Sequence, residues 1–137
     1  MRRILAALTL VALIAACSDS TSPKKSPVGA WSLATLDGTA PPLVVDSFSD
    51  TTFYFDGSTL TLGDNGKFSE VYSLRLSAQS GDSAFAQSDT GTWAIQGTTI
   101  TFNVIGDTPE QSGSYTGEFR DSTIVETGTN VWVYRRK

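Results

Sequence analysis

Histidine is absent from this chain, and cysteine occurs once, as Cys17. The first absence removes the commonest general base and metal ligand near neutral pH. The second excludes a disulfide framework and a multi-thiol metal site. Basic residues are scarce, with 10 Lys and Arg against 14 Asp and Glu. Arg2 and Arg3 lie in a segment read below as removed, which leaves 8 against 14, a balance of −6. Such a domain lacks the basic face that nucleic acid requires, and it has little electrostatic attraction to anionic lipid. A helical period of 3.6 is also missing: no window after residue 16 keeps it.

The one long apolar run is at the start. Met1-Arg2-Arg3 leads into residues 4–16, which carry no charge and only Thr9 as a polar interruption. Two cations, about a dozen apolar residues and small residues at the end form a secretory signal. A membrane span needs roughly 20 apolar residues, and this run stops at Ser18-Asp19-Ser20. Ile14-Ala15-Ala16-Cys17 resembles the lipobox of bacterial lipoproteins, whose cysteine thiol takes diacylglycerol before the signal is cut off. The resemblance implies a signal peptide over 1–16 and acyl groups (palmitate or similar) on Cys17. Two or more acyl chains hold a protein stably on a membrane. Ser18 rather than Asp after the cysteine implies, by the same resemblance, the outer membrane in preference to the inner cell membrane. Residues 17–27, CSDSTSPKKSP, are Ser/Pro-rich and without apolar periodicity, a tether. Ten such residues reach roughly 30 Å when extended.

Residues 28–137 are enough for one core and too few for two domains. They alternate apolar and polar, with turn residues every eight to twelve positions. Trp31 and Leu33 share a face, and Leu60 and Leu62 alternate with threonines. Asn65-Gly66 marks a hairpin turn. Phe68, Tyr72, Leu74 and Leu76 share one phase; so do Trp93 and Ile95, then Ile100, Phe102 and Val104, then Tyr115 and Phe119. Further short strands are expected over 122–127 and 131–136. About eight strands in consecutive hairpins, each with one apolar face and no helix to cover it, predict an all-β domain. Closure into a small antiparallel up-and-down β-barrel also removes exposed edges; a β-sandwich is the alternative.

Gly29-Ala30-Trp31 resembles the Gly-x-Trp opening of lipocalins. Gly91-Thr92-Trp93 with 98–102, Tyr115-Thr116-Gly117 and the terminal Trp132-Val133-Tyr134-Arg135-Arg136 are similar to small lipocalin-like domains of bacterial lipoproteins. Asp37-Gly38 followed by Pro42-Leu43 matches their linking motif with its last two residues reversed. The resemblance implies that Trp31 plugs the closed end of a barrel and that a late arginine, Arg135 or Arg136, packs on it. Stacking of Trp31 on a ligand is the alternative. Eight short strands enclose just enough room for side chains or one small ligand. Trp31, Trp93, Phe102, Tyr115 and Phe119 are expected to fill it.

Glu70 breaks the apolar phase of Phe68, Tyr72, Leu74 and Leu76. A buried unpaired carboxylate is costly. Either a bulge or a place at the mouth brings it to water, or it lies in a cavity and meets Arg135, Arg136 or a ligand cation. Trp132 and Tyr134 alternate with Val131 and Val133, so one pair faces outward; exposed aromatics would form a contact patch.

No catalytic residue, metal site or cofactor is expected. No serine stands in a motif with an adjacent base, and most acids, Asp37, Asp64, Asp107 and Asp121 among them, sit in apparent turns. No ordered calcium loop occurs. The expectation is a lipid-anchored module of the cell envelope that binds rather than catalyses, taking a small apolar ligand. The alternative is a structural or protein-interaction module with a filled core.

Overall fold

The computed structural model describes residues 25–137. The lipobox, Cys17 and most of the tether lie outside those residues. Nine strands follow one another: β1 (Gly29–Leu36), β2 (Leu43–Phe48), β3 (Thr51–Leu62), β4 (Lys67–Ala78), β5 (Gly81–Gln96), β6 (Thr99–Val104), β7 (Gly113–Arg120), β8 (Thr123–Thr127) and β9 (Val131–Arg136). The sole helical element among the described residues is a 3-10 turn, Pro109–Gln111.

All neighbouring strands are antiparallel, in the order β1-β9-β8-β7-β6-β5-β4-β3-β2. The sheet closes because β1 also pairs with β3, from Gly29↔Leu62 to Ser32↔Thr59. That makes an eight-strand barrel of β1 and β3 to β9, and the sandwich alternative does not apply. Period-two alternation explains the closure: each strand has one apolar face, and a ring turns all of them inward.

β2 is the strand that the sequence pattern does not reveal. It pairs with residues 51–55 of β3, while β1 takes residues 59–62. A register shift at Phe55/Gly57 separates the two halves of β3. β4 and β5 are also longer than the barrel needs. Their ladder runs from Lys67↔Thr92 to Ala78↔Gly81, but β6 meets β5 only over 91–96. β2 and the outer parts of β3, β4 and β5 thus form an apron paired only within itself, stiffened by Phe53 against Phe85 at 5.5 Å.

The core is fully buried at Trp31, Leu60, Ile100, Phe102, Ile124 and Tyr134. Each large apolar side chain taken from water contributes roughly 1.5–3 kcal/mol. The closed end is built on Trp31. Its ring meets Phe119 edge-on at 5.9 Å, and its indole N–H donates to the Pro27 carbonyl at 2.8 Å. The Arg136 guanidinium covers the other face, 4.5 Å from the ring. Arg136 Nη1 donates to the Val28 carbonyl at 3.1 Å and Nη2 to that of Ser26, so residues 26–28 are strapped across this end. Arg135, out of phase with Arg136, is exposed.

Candidate functional site

The opposite end is built differently. Trp132 and Tyr134 of β9 point inward, so the aromatic pair forms barrel wall and not an outer patch. With them, Glu70 and Tyr72 of β4, Tyr115 of β7 and Glu126 of β8 line a cavity of about 260 Å³. Exposed residues 127–130, the β8–β9 turn, form its rim. The expected filling by aromatics therefore holds for one half of the barrel only. Phe68 packs on Phe102, Phe102 stacks on Tyr115 at 4.8 Å, and the space beyond Tyr115 is left open.

Glu70 is 2% exposed. No bulge turns it out, since the β4–β5 register is unbroken. Neither arginine answers it: Arg136 is committed to Trp31 and the strap, and Arg135 faces solvent. Hydroxyl groups answer it instead. Ser58 Oγ and Tyr134 Oη donate to Oε1, the latter at 2.5 Å, and Tyr72 Oη approaches Oε2 at 3.0 Å. Tyr72 Oη also lies 2.9 Å from Asp89 Oδ2, so one phenol proton faces two carboxyl groups. Burial, and then the charge of Glu70, raises the pKa of both Tyr72 and Tyr134. Burial and Glu126 do the same for Tyr115. The phenols therefore stay protonated and available as donors.

Glu126 has no such support. It is 8% exposed, and its Oε1 is buried without a hydrogen-bond partner. Burial first, and then the Glu70 charge, pushes its pKa up to about 8. Across the β7–β8 ladder it faces Gly117, where a Cβ would stand 3.1 Å from Glu126 Cγ. The missing side chain gives the carboxyl group its room.

The strand period of β8 also marks Glu126 as inward. Ile124 is inward, and two residues on, Glu126 must be inward as well. Tyr72 stands two residues from Glu70 on the same face of β4, as the strand period shows, whereas Tyr134 reaches it from β9 only because the barrel closes. A second hollow of about 420 Å³ lies where β1 leaves β3, lined by Ser32, Pro41, Asp56 and Ser73 among others. Asp56 there is occupied by Arg75, at 3.0 Å, and no unpartnered buried group points into it.

The sequence profile of a family described as a lipocalin-like domain matches residues 28–126. The chain belongs to the lipocalin-like domain family. Among solved structures, a lipocalin-like protein from Bacteroides uniformis is similar at 14% identity and a TM-score of 0.48, over 80% of this chain and 97% of that one. No curated protein matches the chain. Membership accords with the Gly-x-Trp opening and the plug it forms.

Proposed function

We propose that this lipocalin-like domain is a non-catalytic binding module of the cell envelope, tethered by lipid on Cys17, which takes one small organic molecule into the open half of its barrel. The observation that carries this reading is the contrast within one barrel: Trp31 and Arg136 seal one end, while a cavity of about 260 Å³ remains at the other. Such a volume lies just under the roughly 300 Å³ where drug-sized sites begin, so the ligand is of small-metabolite size. The lipocalin-like family is typically one of binding and not of catalysis, which favours the same reading.

Native mass spectrometry of the full protein, released by detergent from its own host, tests the ligand. A co-purifying small molecule supports the proposal, and protein that is empty from the host and takes up nothing from a host metabolite extract contradicts it. Cys17→Ser tests the anchor: the variant should leave the membrane fraction and lose incorporation of a palmitate analogue.

A second reading has one observation in its favour. β2 is the sheet's free edge, and Val44, Val45 and Phe48 on it are 58–61% exposed. A protein partner in the envelope could add there, and charged substitutions at Val44 and Val45 would then abolish its capture without touching the cavity.

A further inference from the structure

We propose that the ligand is a small organic ammonium ion with an apolar body, its N–H donating to Glu126 Oε1 and its body lying against Trp132, Tyr72 and Tyr115. This rests on the reading of the barrel as a small-molecule binder and narrows it to one charge class.

The first ground is the unanswered acceptor. Glu126 Oε1 is buried, lines the cavity and has no partner. Leaving a buried carboxyl oxygen unsatisfied is costly, because its bonds to water are lost and nothing replaces them. Ser58, Tyr72 and Tyr134 are already turned to Glu70 and Asp89, and Tyr115, which also lines the cavity, makes no hydrogen bond to Glu126. The acceptor is open to a donor from outside the chain.

The second ground is charge. Two carboxyl groups line the cavity and no basic side chain does. A fatty acid or other anion would bring a negative group beside these two acids with nothing to neutralise it. A neutral apolar guest would leave Oε1 as it is. Among the described residues no three acidic, thiol or imidazole groups come together to hold a metal ion. An organic cation needs only one acceptor and an aromatic wall.

The wall is the third ground. Trp132 lies 5.6 Å from Phe55 and 6.3 Å from Tyr72, both edge-on, so aromatic rings enclose the mouth on more than one side. Ring faces attract ammonium groups, most strongly when water is excluded. Gly117 opposite Glu126 keeps the carboxyl group from being wedged against the strand.

Binding should then be coupled to a proton. The groups around Glu126 are Glu70 and Tyr72 on β4, Asp89 on β5, Tyr115 on β7 and Tyr134 on β9. Burial raises the phenols, so they do not titrate in the neutral range. The carboxyl group of Glu126, at about 8 in the empty barrel, must release its proton to receive a cation. Affinity for an ammonium ion should rise with pH up to that value.

Isothermal titration calorimetry of the full-length protein in a nonionic detergent provides the test. The probes are 2-phenylethylamine and 2-phenylethanol, equal in shape and different in charge. At a pH of about 8.5 the amine should bind at least roughly tenfold more tightly than the alcohol, and it should weaken by a similar factor at about pH 6, within the limit of tenfold per pH unit set by one linked proton. Glu126→Gln should erase both the preference and the pH dependence, with thermal unfolding confirming the fold. An alcohol that binds as well as the amine, or an amine preference that survives Glu126→Gln, overturns the ammonium proposal while leaving a ligand cavity in place. If neither probe binds, the ammonium proposal falls. The broader binding reading falls with it only where the host-purified protein also carries no small molecule.

Discussion

The two ends of this barrel are made from the same kinds of residue and do opposite things. At the closed end an aromatic ring, a cation and backbone carbonyls satisfy one another: Trp31 is fully buried, its N–H has Pro27, and Arg136 has both the ring and the strap. At the open end aromatic rings again surround ionisable groups, but both are acids and one of them has no partner. A site complete in itself stabilises a fold. A site short of one donor and one positive charge is fit to receive them from a ligand.

The sharpest way to break this comparison is to remove the plug. Trp31→Ala should cost about 3–5 kcal/mol, as truncation of a fully buried Trp does, whereas Trp132→Ala, at a half-buried position on the cavity, should cost clearly less. Urea unfolding of the two variants measures the difference, and equal losses would deny that the ends differ.

Next in size is the response to pH. Because the Glu126 carboxyl group titrates at about 8 in the folded state against 4.5 ordinarily, the folded protein holds that proton more firmly than the unfolded chain. Its contribution to stability is therefore fully present below about pH 4.5 and is lost as pH rises through about 8. A shift of that size amounts to several kcal/mol. Glu126→Gln should flatten the fall in stability across that window, and the gain over the native protein should be greatest on the alkaline side. Thermal unfolding over a pH series reads it.

Arg136→Met keeps an apolar stem over Trp31 but loses the cation and its two carbonyl contacts. At an exposed position this should cost about 1 kcal/mol, with ligand binding unchanged. Smallest of all in stability is Gly117→Ala, whose methyl would press on Glu126 Cγ at 3.1 Å and Ile124 Cγ2 at 3.3 Å. It should lower amine affinity more than it lowers the melting temperature, because the group it moves is the one that receives the ligand.

How much of this was legible in the chain follows from what alternation can report. It reports facing. The inward phase of Phe68, Glu70 and Tyr72, of Ile100 and Phe102, and of Tyr115 and Phe119 is visible residue by residue, as is the all-β class. It does not report what lies across a closed ring. That Glu70 would find Tyr134, 64 positions away, and not an arginine, depends on which strands become opposite walls. β2 and the outer part of β5 escaped for a different reason. In the apron, residues 81–88 are exposed on both faces, so selection for burial leaves no period of two in Asp82 to Ser88. Filling was expected of the whole barrel, with a cavity at Glu70 as the alternative, because aromatic count measures volume and not its distribution: Trp31 and Phe119 crowd one end, while Trp132 and Tyr72 line the other as wall and leave a space between them.

The contrast between the two ends depends most on Glu126 being dry and alone. A ¹³C NMR titration of the glutamate carboxyl groups in the ligand-free protein measures this directly. One resonance, absent from Glu126→Gln, should titrate at about 8. If every glutamate instead completes its titration by about pH 6, the upper end of the ordinary range, the open end holds no unpartnered acid and the contrast between the two ends is lost.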